Sequence, residues 1–335
     1  MHQEQKTYPV RVRNKGMLGR AANDLFWLAR YVERAENMAR IIDVGYRLAL
    51  LPRDGTGNHN EWRSTLESAG CLDGFLEQHD ELQTREVVDY LLFDPENPSS
   101  IRSCLYQARQ NARSQRTSMT REMWEALNLA WLEFAAYDRQ HVTSDQLLQI
   151  LDSVKQASAM WRGTMLNTVL RDDRFHFLQL GAFLERADNT ARILDVKYYV
   201  LLPSLAAIGS GIDNFQWATV LRSVAGHRSY NHVYRAGYRP LNIAEFLILN
   251  DQMPRSLATC YGYITQSLYG LNELYGEETT CLQTASTTEN LLRNGDIEAI
   301  FSTGLHEFLS DLIARNNRLG ADISDAYHFE TVRPG

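Results

Sequence analysis

The sequence predicts an all-α protein, a duplicated multi-helix bundle with a pseudo-twofold internal repeat. Three observations lead there. Apolar residues recur at three- and four-residue steps over most of the chain, as in Leu25, Leu28, Val32, Ala35, Ala39 and Ile42. Alternating strand patterns joined by hairpin turn pairs are missing. A long segment also returns at a constant offset. Residues 32–44, VERAENMARIIDV, overlie residues 184–196, LERADNTARILDV, with nine of thirteen positions identical 152 residues apart.

The correspondence extends beyond that segment. Both stretches run through apolar residues to a proline, Pro52 and Pro203. Trp62, Leu66 and Ser68 then match Trp217, Leu221 and Ser223 in spacing, with Gly70 near Gly226. Asp89-Tyr90-Leu91 before Pro98 matches Glu245-Phe246-Leu247 before Pro254, and Ser100-Ile101 matches Ser256-Leu257.

Taken in order, the first copy reads as a long helix over 20–51, ended near Pro52 and the Gly55/Gly57 loop, then shorter helices over 61–68, 85–93, 99–117, 121–137 and 145–170. The second copy repeats this with a long helix over 172–202 and others over 214–224, 243–249, 255–274, 287–293 and 296–318. Pro98 and Pro254 are expected in the first turns of their helices, where the missing N–H costs nothing. No linker rich in Pro, Gly or Ser separates the copies, so they are expected to pack as one body.

Bulk properties narrow the function classes. The composition is that of a globular protein, with 44% hydrophobic and 22% charged residues. A net charge of −7 argues against general affinity for nucleic acid, which needs a basic footprint. Cys71, Cys104, Cys260 and Cys281 form no C-x-x-C pair and fit buried thiols in a reducing compartment. The N-terminus lacks the apolar core of a signal peptide, and no stretch reaches the ~20 apolar residues of a membrane span. These features predict a cytoplasmic protein that does not engage a membrane.

The repeated segment carries the chemistry. On a helical wheel Glu33, Asn37 and Arg40 share one polar stripe with Arg34 at its flank, and Glu185, Asn189 and Arg192 with Arg186 form its twin. Asp43 and Asp195 sit further along. A solvated face with ordinary i,i+4 pairs is one reading. Surface charges in two diverged copies should drift, however, and here they match. The stripes are therefore either buried, mutually paired charges that set helix register, or groups facing a cleft that binds a polar ligand.

A second constellation belongs to the first copy alone. Arg102, Arg109, Arg113 and Arg116 share a helical face, where the second copy has Ala258, Thr265, Tyr269 and Asn272. Guanidinium forks on such a face suit a carboxylate or phosphate, and equally suit acidic neighbours or a subunit. No Glu-x-x-His pairs of a di-metal bundle occur, and the arginines beside Glu33 and Glu36 satisfy those charges without a metal. Neither a P-loop nor a dinucleotide-binding glycine pattern is present, so no cofactor is expected.

The run LGRAANDLFWLARYVERAENMARIIDV resembles the alpha-E family, bacterial helical proteins named for a Glu-Arg motif, and LQLGAFLERADNTARILDV is similar to that family's second copy. QNARSQRTSMTREMWEALN and LHEFLSDLIARNNRLG resemble its other characteristic segments. Arg30 in the first copy faces Ala182 in the second, where the family pattern has a basic residue. The resemblance implies a tail over 1–16, one repeat over 17–171, a second over 172–320 and a C-terminal tail over 321–335. It further implies association with a separate circularly permuted ATP-grasp protein, and proximity to transglutaminase-like proteases. The implied setting is the making or processing of a peptide or related amide. Three roles follow: an accessory protein that binds substrate or partner for such a ligase, an enzyme using Glu33 or Glu185 as acid or base, or a structural oligomer.

Overall fold

The computed structural model describes residues 17–50, 60–139, 142–199, 211–235 and 237–329. The predicted tail over 1–16, the Pro52 and Pro203 segments and the last residues lie outside these. All regular structure among the described residues is helical, in fifteen helices. In the first half these are α1 (Gly19–Ala49), α2 (Asn60–Ser68), α3 (Leu72–Leu76), α4 (Thr84–Leu92), α5 (Ile101–Ser114), α6 (Arg121–Ala135) and α7 (Ser144–Thr168). The second half has α8 (Asp173–Tyr199), α9 (Gly211–Ser223), α10 (His227–Val233), α11 (Pro240–Ile248), α12 (Leu257–Tyr275), α13 (Thr280–Arg293), α14 (Ile297–Thr303) and α15 (Leu305–Ala326).

The two long motif helices, α1 and α8, pack against each other as the spine of the molecule. Helices α5 and α7 flank α1, with α6 bridging them; α12 and α15 flank α8, with α13 bridging them. Each spine helix is therefore surrounded, which explains why its apolar positions run round more than one face. Leu25, Leu28, Val32, Ala35, Ala39 and Ile42 are all buried. The crossing is tight at Gly181, where a Cβ would run into the carbonyl oxygen of Phe26. One large apolar core joins the spine to the second half, and a second, around Trp62, Phe75, Leu91 and Cys104, fills the first half.

Several elements differ from the sequence expectations for local reasons. Pro98 and Pro254 do not enter their helices. Ser100 and Ser256 cap α5 and α12, each accepting a hydrogen bond from the backbone N–H three residues on, so the prolines sit just outside. Pro240 does occupy the first turn, of α11. The single helix expected over 296–318 breaks at Gly304, whose φ of 118° no other residue type adopts easily, and α15 then continues to Ala326. Helix α5 stops at Ser114, which places Arg116 in the following turn rather than on the helical face with Arg102, Arg109 and Arg113. No described helix is long and apolar enough to cross a membrane.

Candidate functional site

The two Glu-Arg motifs meet at the α1–α8 crossing and exchange partners. Arg186 donates from Nε and Nη2 to the two carboxylate oxygens of Glu33, at 2.9 and 2.8 Å. Arg34 donates from the same two nitrogens to Glu185, at 2.5 and 2.9 Å. These are paired bidentate forks, the strongest geometry open to guanidinium and carboxylate. Glu33 is 1% exposed and Glu185 6%. The motif glutamates are thus neither solvated nor paired within one helix; each closes on the other motif's arginine, while Arg40 and Arg192 pair within their own helices.

Further arginines complete each cluster from different elements. Glu33 also accepts from Arg255 Nη1 at 2.9 Å and from Arg162 Nη1 at 3.1 Å. Its neighbour Glu36, fully buried, takes Arg255 Nη2 at 2.6 Å, both Arg40 donors, and Arg162. Asn37 Oδ1 accepts from Arg255 Nη1 at 3.1 Å. Glu185 also accepts from Arg30 Nε at 2.9 Å, and Arg192 stands near enough to act on it through space. Arg192 pairs with Asp188 at 2.6 Å. Thus Arg30, whose aligned position in α8 is Ala182, supplies Glu185 with what Arg162 of α7 supplies to Glu33.

Electrostatics follow from this geometry. Burial alone would raise the pKa of Glu33, but Arg186, Arg255 and Arg162 outweigh it and hold the carboxylate far below its usual range. Burial likewise opposes ionisation of Glu185, and Arg34 and Arg30 override it, bringing the group to about 2. Burial and the nearby Glu185 act in opposite directions on Arg34, and the ion pair wins, raising its pKa. Arg255 is lowered, chiefly by burial with Arg186 adding repulsion, yet a guanidinium starts so high that it stays charged. Both glutamates are fixed as anions at neutral pH and neither holds a proton to give.

A cavity of about 210 Å³ opens beside this cluster on the Glu185 side. Its walls come from α1, α8, the end of α2 and the segment before α5, and include Arg34, Ser99, Glu185, Asp188, Asn189 and Arg192. The Glu33 carboxylate is sealed from solvent, whereas Glu185 lines this space.

The second predicted constellation lies elsewhere. Arg109 donates to Asn128 Oδ1 at 2.9 Å, and the guanidiniums of Arg109 and Arg116 lie over the Trp124 ring at 5.9 and 4.9 Å. Arg113 is exposed on the same surface. None of these three reaches the Glu-Arg cluster.

Sequence reasoning did not single out Arg162 or Arg255. Nothing in α7 marks Arg162. Arg255 left a signal: it lies between the aligned Pro254 and Ser256, and its counterpart between Pro98 and Ser100 is Ser99. Four buried free cysteines, two of them beside the cluster, have thiols pushed upward by burial, Cys104 and Cys260 to about 12. Among the described residues no group of three or more His, Cys, Asp and Glu side chains is arranged to hold a metal ion.

Comparison with curated proteins finds no match, and neither does comparison with solved structures. A family profile does match. Alpha-E, described as a predicted alpha-helical domain with a conserved ER motif, covers residues 17–328. Those residues run from the start of α1 to just past α15, and both Glu-Arg pairs stand at the centre of the all-helical fold, so the chain belongs to the Alpha-E family.

Proposed function

We propose that the protein is a non-catalytic, cytoplasmic binding body that holds a polar ligand or partner for a separate ATP-grasp-type ligase in a bacterial system of peptide or amide synthesis. The observation that carries this reading is the state of the motif glutamates. Both are clamped by bidentate arginines, which hold the carboxyls ionised at neutral pH. A general acid or base needs a pKa near the working pH. The motif is therefore architecture, and it stiffens the walls of an adjoining polar cavity. A transglutaminase-like protease is a further partner compatible with the same setting. The test is co-purification with the cognate circularly permuted ATP-grasp protein. A stable complex over a range of salt concentrations is expected; failure at every salt concentration contradicts the reading.

A second reading, an enzyme acting on an amide-linked or carboxylate substrate, draws on one observation: Glu185 lines the cavity. Its two arginine partners make it a poor base, which places this reading second. Turnover of a substrate that vanishes in Glu185→Gln while folding is retained would reverse that order.

A further inference from the structure

The cavity occupies the place that Arg255 fills on the other side of the crossing. Aligned positions pair Glu33 with Glu185, Glu36 with Asp188, Asn37 with Asn189, and Arg255 with Ser99. The local frames around the last pair agree. Ser100 and Ser256 each cap the next helix and also donate to a backbone carbonyl, of Asp94 and Asn250 respectively. Asp94 and Asn250 in turn accept from the N–H two residues on. Thr190 donates to the Arg255 carbonyl at 2.8 Å, and the position aligned with Thr190 is Met38, a cavity wall.

The acceptors on the two sides differ by one guanidinium. Glu33 receives four N–H donors, two on each oxygen. Glu185 receives three from the described residues, with a single donor on Oε1. Oε1 is the oxygen that, in Glu33, takes Arg255. A carboxylate offers about four lone-pair sites, so Glu185 Oε1 keeps one open. Asp188 is held by Arg192 alone, where Glu36 also takes Arg255 and Arg162. Asn189 is 6% exposed and lines the cavity, at the position aligned with Asn37, whose Oδ1 accepts from Arg255. The space, about 210 Å³ on a scale where one water needs about 10–15 Å³, takes more than a single solvent molecule.

We propose that this cavity is a binding site for a guanidinium group supplied from outside the chain, seated on Glu185, Asp188 and Asn189 as Arg255 is seated on Glu33, Glu36 and Asn37. The planar fork matches the acceptor set in a way an ammonium does not. The group comes either from a small guanidino compound or from an arginine side chain of a protein partner. The site deepens the proposed binding role and rests on it for its biological use.

The test is calorimetric titration of the isolated full chain with agmatine, with a capped arginine tripeptide, and with cadaverine as the amine control. Saturable one-to-one binding of agmatine or the tripeptide, at least tenfold tighter than cadaverine, is expected. Preference for the tripeptide assigns the source to a protein; preference for agmatine assigns it to a small molecule. Ser99→Arg places the guanidinium in cis and is expected to raise the melting temperature and abolish binding. Asn189→Leu, which removes one acceptor without adding a group, is expected to weaken binding at least tenfold even if Ser99→Arg does not fold. No binding of either guanidino probe up to about 10 mM, weaker than any millimolar affinity, overturns the proposal, as does binding of acetate or phosphate in their place. Because the titration uses no partner, its failure leaves the ligase complex standing, and a missing complex leaves the titration standing.

Discussion

Glu33 and Arg186 lie 153 residues apart and join the two spine helices through two hydrogen bonds of 2.9 and 2.8 Å, while Arg34 and Glu185 make the reciprocal pair. The partners are buried, so each cluster holds together only as a set. Removing one member of a buried pair typically costs ~3–5 kcal/mol because the remaining charge is left unpaired. The sets are unequal. Glu33 keeps hydrogen bonds from Arg255 and Arg162 when Arg186 is lost, whereas among the described residues Glu185 keeps a hydrogen bond from one arginine, Arg30, when Arg34 is lost. Arg34→Ala is therefore expected to destabilise more than Arg186→Ala in urea denaturation. The reverse order contradicts the assignment of partners.

Stability is expected to fall in acid for a specific reason. Glu185 moves from an ordinary 4.5 to about 2 on folding. A depressed carboxylate contributes stability that is complete above the unfolded value and is lost as the pH drops through the folded one. The gap corresponds to roughly 3 kcal/mol at about 1.4 kcal/mol per pH unit, lost between pH 4.5 and 2. Glu33 acts in the same direction. Denaturation midpoints should be level from pH 7 to 5.5 and fall below pH 4.5, with a shallower fall in Glu185→Gln. Parallel falls in the two proteins would show that Glu185 is not the group responsible.

The α1–α8 crossing depends on a missing side chain. Ala is the better helix former, by about 1 kcal/mol over Gly, so Gly181→Ala on an open helix would stabilise. Here the added methyl meets the Phe26 carbonyl and the Ala29 methyl. Overpacking of this kind costs ~1–3 kcal/mol, and the variant should melt at a lower temperature than the wild type. An unchanged or higher melting temperature would mean the helices part at no cost.

The arginine face on α5 and the turn after it separates folding from docking. Arg109 makes a hydrogen bond to Asn128, so Arg109→Ala should cost about 1 kcal/mol. Arg113 is exposed, and Arg113→Ala should leave stability within about 0.5 kcal/mol. If this face docks the ligase, Arg113→Ala weakens the complex with no change in melting. A shift in oligomeric state instead, with the complex intact, would assign the face to self-assembly.

Thiol chemistry offers a simple check on the core. Cys71, Cys104, Cys260 and Cys281 are buried and free, and burial suppresses the thiolate. An aromatic disulfide reagent should label none in the native protein and all four in denaturant. Rapid native labelling of Cys104 or Cys260 would show that the clusters beside them open locally.

The helical class and the spine were legible because the motif segments state their own pattern: Leu25, Val32 and Ile42 recur at helical spacing and all are buried. The choice between solvated, paired and cleft-facing stripes was not, because a wheel gives directions within one helix and Glu33 finds its partner on another. Arg162 was invisible for the same reason. Ser99 and Arg255 were visible as a mismatch between two aligned prolines and serines, but its meaning depends on knowing that Arg255 turns back to Glu33 and Glu36. The break at Gly304 was hidden because the apolar spacing of α14 runs on into α15.

The Glu-Arg motif is a buried lock between α1 and α8. A double-mutant cycle on Glu185 and Arg34, using Glu185→Gln, Arg34→Met and the double variant in urea denaturation, tests it most directly. A coupling energy of about 2 kcal/mol or more is expected, as for a desolvated bidentate pair. A coupling below about 0.5 kcal/mol, the range of solvent-exposed pairs, would contradict it.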